Sequence, residues 1–203
     1  MPTIVVVRHA EVSNPNHVVY ADLPGFDLSA TGVRQVHELG KHLGSVPVDI
    51  VVSSPLARAR HTATAIARHH RGVGVTVDPR LTETRMYPEW TGLKWEDVER
   101  KFPDQLQGYL EDATSLDDVP ESVDDVLGRV RPCVDDAIAH GHRTIVVVGH
   151  QDPSQILRLG LVGRSLSELR VDPPEHASAT TITYVGNGRF VEDSVWSPQD
   201  IDL

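Results

Sequence analysis

The residues with chemistry to offer stand at the ends of apolar runs. Thr3-Ile4-Val5-Val6-Val7 leads into Arg8-His9-Ala10-Glu11, and Thr144-Ile145-Val146-Val147-Val148 leads into Gly149-His150. A third run, Val48-Asp49-Ile50-Val51-Val52-Ser53-Ser54, is followed by Pro55 and, three residues on, by Arg58. Two guanidiniums offer forked donors matched to phosphate or carboxylate oxygens. A helix N-terminus beside them adds partial positive charge. Two imidazoles in such an anion pocket allow nucleophilic catalysis. A histidine can attack phosphorus and split one hard displacement into two easier ones, while the arginines hold the equatorial oxygens. The departing oxygen then needs a proton. Glu83, in the loop after Leu81, is the candidate donor. Glu11 and Glu89 are the alternatives, with Glu11 read as a structural hydrogen-bonding group. Arg60 competes with Arg58, but two positions along a helix it faces another way.

These groups need a scaffold that brings distant segments to one edge. Continuous β-branched runs bounded by turn formers read as strands buried on both faces. In open α/β sheets, ligands bind outside the strand carboxyl ends. Between the strands, Ser29 is placed to cap a helix carrying Val33, Val36, Leu39 and Leu43, which Gly44 stops. Further helices are expected over 56–70, 94–101, 105–110, 123–139 and 153–161, with Pro132 expected to kink the fourth of these. A short strand is expected over 73–77. Gly186-Asn187-Gly188 marks a hairpin between 179–185 and 189–195, and the tail after Trp196 reads as irregular. The fold expected is α/β, a three-layer α/β/α sandwich with a mainly parallel central sheet and a C-terminal hairpin at one edge. Residues 1–203 are read as one domain, with a helical and loop insertion at about 84–122 covering the site. The first strand is expected to lie between the strand leading to Arg58 and the strand ending in His150.

Composition narrows the classes. The chain has 203 residues, 39% of them hydrophobic, enough for a sizeable core. A net charge of −10 argues against nucleic acid or an anionic membrane surface as partner. It leaves room for a small anionic substrate held by a few focused arginines. Cys133 is the single cysteine, so no internal disulfide can form, and its apolar helical stripe suggests a core residue. No signal peptide or bilayer-length apolar run is visible, so a cytoplasmic protein is expected. The eleven histidines include His69-His70 and His140-Gly141-His142, but none has a zinc-ligand spacing. Ser54 and Ser154 lack the Gly-x-Ser-x-Gly elbow of α/β-hydrolases.

Several segments in a fixed order carry a resemblance. They are Arg8-His9-Ala10-Glu11, Leu28-Ser29-Ala30-Thr31-Gly32, the stretch from Ser53 to Ala63, Leu81-Thr82-Glu83, Glu121-Ser122 and Val148-Gly149-His150. Across roughly residues 3 to 185 the chain resembles the histidine phosphatase superfamily, in its phosphoglycerate-mutase-like branch. The resemblance implies that His9 accepts the phosphoryl group, that Arg8, Arg58 and His150 hold it, and that Glu83 donates the proton. It also implies no metal and no cofactor. Departures from the family pattern are Ala10 for glycine, Val12 for threonine, Pro88-Glu89-Trp90-Thr91-Gly92 for Gly-x-Trp-x-Gly, and Gln151-Asp152-Pro153 after His150. Asn14 is expected to reach the phosphate, and Asp152 to turn away and cap the next helix. Tyr20, Arg85 and His176 are candidates to shape the pocket. The function expected is hydrolysis of a small phosphomonoester, with a mutase or a non-catalytic binding protein as alternatives. A homodimer is left open.

Overall fold

The computed structural model describes residues 1–198; the expected irregular tail lies, beyond residue 198, outside the described residues. The apolar runs form β1 (Thr3–Arg8), β2 (Ile50–Ser53), β3 (Val75–Val77) and β4 (Thr144–Gly149), followed by β5 (Ala179–Gly186) and β6 (Arg189–Trp196). They build one six-stranded sheet in the order β3-β2-β4-β1-β5-β6. The first four are mutually parallel, and β5 and β6 continue antiparallel from β1. Asn187 and Gly188 both have positive φ, as a two-residue hairpin turn between right-twisted strands requires.

Alternate side chains of each central strand enter different cores, which is why the runs are unbroken. Ile4, Val6, Ile145 and Val147 pack against α5 (Val123–Ala139) and α6 (Gln151–Val162). Val5, Val7, Val146 and Val148 pack against α1 (Ala30–Leu43) and α2 (Ala57–Ala67). Burying each such side chain contributes roughly 1.5–3 kcal/mol. Helices therefore cover both faces of a mostly parallel sheet. Two shorter helices, α3 (Trp95–Lys101) and α4 (Pro103–Asp112), lie in the segment between β3 and α5.

Local signals set most boundaries. Ser29 caps α1 by accepting from the Gly32 amide, and Ser122 and Asp125 form a reciprocal capping box on α5. α5 is continuous through Pro132. α2 is shorter than expected, and α6 begins two residues earlier, directly after His150. Pro153 falls in the first turn of α6, where its missing N–H removes no helical bond.

The strand order corrects one expectation. β1 is not flanked by the strands of Arg58 and His150; β4 is the middle strand, with β1 on one side and β2 on the other. The far edge of β1 is taken by the antiparallel β5. β1 and β4 are near-identical apolar runs, so their composition cannot order them. Among the described residues, no helix is long and apolar enough to cross a membrane.

Candidate active site

Parallel register aligns three strand ends. Arg8 pairs with Gly149, and Ser53 with Val148. The ladder continues one residue further, where the His9 amide donates to Gly149 O (3.0 Å) and the Ser54 amide to Val148 O (2.9 Å). His9, Ser54 and His150 thus emerge side by side at the carboxyl edge, where α2 delivers Arg58. The imidazoles of His9 and His150 meet edge to face with centroids 5.1 Å apart.

The His9 ring has one orientation and one useful tautomer. Its Nδ1 lies 2.7 Å from Ala10 O, and a carbonyl can only accept, so Nδ1 carries the proton. Nε2 is then a lone pair, and the Nε of Arg58 donates to it at 3.2 Å. Thr62 braces this arrangement by accepting from the Ala10 amide and donating to Arg58 O. Ala10 itself is fully buried in the α1/α2 core. Burial foremost, then His150 and the two arginines, push the His9 pKa well below the ordinary 6.5. This favours the neutral ring, the form in which an imidazole can act as a nucleophile.

His150 is also fully buried. Its Nε2 lies 2.7 Å from Ser54 Oγ, and its Nδ1, without a hydrogen-bond partner, lies 3.8 Å from Glu83 Oε2. Burial, followed by Arg58, holds its pKa well below the usual value too. Arg8 donates to Pro174 O and contacts His176 Nε2, both at 2.9 Å. Burial and Arg8 depress His176 to about 3.

Glu83 is brought to the site by a residue the sequence reading missed. Leu81 anchors the loop in the core, and Arg129 of α5 gathers the loop carbonyls. Its Nη1 donates to Arg80 O (2.5 Å) and Thr82 O (2.9 Å), and its Nη2 to Glu83 O (3.3 Å). The same guanidinium pairs with Glu121, whose carboxylate also accepts from the Arg85 amide. An arginine among the buried Val126, Val130 and Val134 of an amphipathic helix was the available signal. The Glu83 pKa is raised to about 7, first by burial and then by the nearby Asp152 charge, against the Thr84 amide and the two arginines.

Asp152 does not cap α6. Its carboxylate takes both terminal nitrogens of Arg170 (3.0 and 2.9 Å) and the Tyr109 hydroxyl (2.8 Å). Arg170 also lies over the Tyr109 ring, 3.7 Å from its centroid. Nor does the structure bring Asn14 to the pocket wall. Its amide closes a turn by bonding both the N–H and the C=O of Val18. Glu11 accepts from Ser29 Oγ, Glu89 accepts from Gln105 and is exposed, and Arg85 is an exposed partner of Asp22. Arg60 is exposed, whereas Arg58 is 1% exposed. Cys133 is a buried thiol in the α5/α6 core.

A cavity of about 340 Å³ opens over this edge, with Arg8, Glu83, Asp152 and His176 among its lining residues. Five aromatic residues, Tyr20, Tyr87, Trp90, Trp95 and Tyr109, share its remaining wall with Val18, Val19, Ala21, Thr84, Met86 and Gln151. Two segments are zipped together to make it. Val19 exchanges backbone bonds with Leu93 and Gly92, and the Trp95 amide donates to His17 O. Behind this lining, Tyr20 packs on the Arg58 guanidinium, and Ala21 O accepts from Arg58 Nη2. Among the described residues, no group of three or more His, Cys, Asp or Glu side chains is arranged to hold a metal.

Residues 4–196 match the family described as histidine phosphatase superfamily (branch 1). The chain belongs to the histidine phosphatase superfamily. This histidine phosphatase is 35% identical over 192 residues to an uncharacterized protein of Mycobacterium tuberculosis, covering 90% of each chain. It is 31% identical over 185 residues to phosphoserine phosphatase 1 of Hydrogenobacter thermophilus, covering 90% of this chain and 86% of the relative. Its fold superposes on mycobacterial glucosyl-3-phosphoglycerate phosphatase with a TM-score of 0.84 at 27% identity, covering 97% and 98% of the two chains.

Proposed function

We propose that this histidine phosphatase hydrolyses small phosphomonoesters through a phosphohistidine formed on His9. The observation that carries the proposal is the His9 tautomer: Nδ1 tied to Ala10 O, and the Nε2 lone pair turned to Arg58. In the first step Nε2 attacks phosphorus, the N–P bond forms and the bond to the leaving oxygen breaks. Arg8, Arg58 and His150 surround the transferred group and stabilise its spread charge. Arg58 exchanges its bonds to His9 and Ala21 O for phosphoryl oxygens. Protonated Glu83 gives its proton to the departing alkoxide. In the second step water attacks phosphorus, ionised Glu83 takes the water's proton, and the N–P bond breaks to release phosphate. Positive charge comes from two guanidiniums, so the mechanism calls for no metal. The names of the relatives, phosphoserine phosphatase and glucosyl-3-phosphoglycerate phosphatase, support a small phosphorylated substrate. A cytoplasmic setting belongs to the same reading and fits a chain whose single cysteine is a buried free thiol.

The test is hydrolysis of p-nitrophenyl phosphate by the wild type and by His9→Ala. The variant should lose activity by several orders of magnitude, and rapid acid-free quenching of the wild type should trap phosphate on His9. Equal rates in the two proteins, or phosphate on another residue, would overturn the covalent mechanism.

A further inference from the structure

The pocket also says what kind of alcohol leaves, an inference that rests on the phosphatase reading. Once Arg8 and Arg58 serve the phosphoryl group, no free cation is left among the described residues that line the cavity to meet a second acidic group. Arg170 is locked on Asp152, Arg129 on Glu121 and the loop carbonyls, and Arg85 is an exposed partner of Asp22. His176 stays neutral beside Arg8. The wall's own acidic groups add no positive charge: Asp152 is already paired with Arg170, and Glu83 binds substrate as the protonated acid. A substrate carboxylate placed there would lose its water without gaining an ionic partner.

The rest of the wall is uncharged and holds a cluster of aromatic rings. Tyr87 stacks on Trp90 with centroids 4.2 Å apart and planes 20° apart. Trp95 stands edge-on to Trp90 at 6.3 Å and 70°. Trp90 is buried and bonded to Gln105, and the Tyr109 hydroxyl is held by Asp152. Trp95 is different: it lines the cavity yet is 43% exposed, leaving ring surface for a ligand to cover. Its backbone is tied down by the amide's bond to His17 O. Burial of exposed indole against a second ring is favourable and needs no ionic partner.

We propose that the physiological leaving group is an uncharged alcohol bearing a planar ring, stacked on Trp95, and that carboxylate-bearing phosphomonoesters are discriminated against. Aryl-alkyl alcohols and nucleosides share this chemistry. Phosphoserine phosphatase 1 and glucosyl-3-phosphoglycerate phosphatase are named for carboxylate-bearing substrates, so the chain would differ from these two in specificity while keeping their fold, which structures named alpha-ribazole phosphatase share as well.

The experiment separates binding from turnover. Calorimetry compares 3-phenylpropylphosphonate with 3-carboxypropylphosphonate, and steady-state assays compare 3-phenylpropyl phosphate and adenosine 5′-monophosphate with O-phosphoserine. The wild type should bind the phenyl compound at least tenfold tighter, and kcat/KM should follow the same order. Trp95→Ala should shrink the phosphonate ratio at least fivefold, and Trp95→Phe should retain most of it. Equal or tighter binding of the carboxylate, or a ratio untouched by Trp95→Ala, would overturn the inference even if the esters are hydrolysed. Ester hydrolysis absent while the phosphonate ratio holds would instead defeat the hydrolase reading and leave the ligand class standing. The relative turnover of the phenylpropyl ester and the nucleotide distinguishes the two sources.

Discussion

Replacing Glu83 by glutamine tests the mechanism at its most exposed joint. The carboxyl sits under the cavity with its pKa lifted from 4.5 to about 7. A carboxyl with the ordinary value would be protonated in only ~0.3% of molecules at pH 7, whereas this one is protonated in about half. The environment therefore raises the population of the acid form ~150-fold, equivalent to ~3 kcal/mol. Glu83→Gln keeps the shape and can still accept from the Thr84 amide, but it cannot give a proton. On an alkyl phosphate, whose alkoxide is a strong base, kcat should fall by about 10²–10⁴-fold. On p-nitrophenyl phosphate, whose phenolate leaves unprotonated, the first step should change by less than about tenfold, read as the burst of nitrophenol. For the wild type on the alkyl ester, the acid is present below about pH 7, so kcat/KM should fall as pH rises through that value. His9, held neutral, imposes no competing limb there. Stability moves in the matching sense. The folded-state pKa lies above the unfolded one, so the folded chain binds the proton more tightly and stability declines between pH 4.5 and about 7. Above that range ionised Glu83 is destabilising, and Glu83→Gln should raise Tm at pH 8 by roughly 5 °C. Equal losses on both esters, or a Tm at pH 8 below the wild type, would refute the reasoning from a buried, proton-donating carboxyl.

Arg129→Met should release the carbonyls of Arg80, Thr82 and Glu83 and strand Glu121. A loss of about 2–4 kcal/mol in denaturant unfolding is expected, with kcat on alkyl esters down about 10²-fold as Glu83 drifts; unchanged kcat would show that something else positions the acid. Gly32→Ala should destabilise by about 2–3 kcal/mol, because a Cβ there would collide with the Glu11 carbonyl oxygen at the head of α1. Gly128→Ala, on a helix surface with nothing within 4 Å, should instead stabilise α5 by about 0.5–1 kcal/mol. Thermal melts of the two variants should therefore move in opposite directions. Activity should persist after prolonged chelation and desalting, and a loss restored by a divalent cation would return a metal to the mechanism.

Much of this molecule is local enough to be legible in one dimension. β-branched runs marked the buried strands, Ser29 and the Asn187-Gly188 turn announced themselves by their own chemistry, and Arg8, His9, Arg58 and His150 stood out because charged groups rarely end such runs. Adjacency was another matter. Strand order depends on which edges pair, and two runs as alike as 3–7 and 144–148 carry no mark of their neighbours. The tautomer of His9 rests on a carbonyl one residue away whose direction only the folded backbone sets. Glu83 is aimed by Arg129, 46 positions along the chain, and Asp152 is turned by Arg170 and Tyr109 from two other elements. Asn14, expected at the phosphate from the family resemblance, bonds instead to the nearer Val18 backbone. Residue types and their order determined which chemistry was possible; burial and long-range hydrogen bonds, which exist only after packing excludes water, decided the protonation states and the aim of each group.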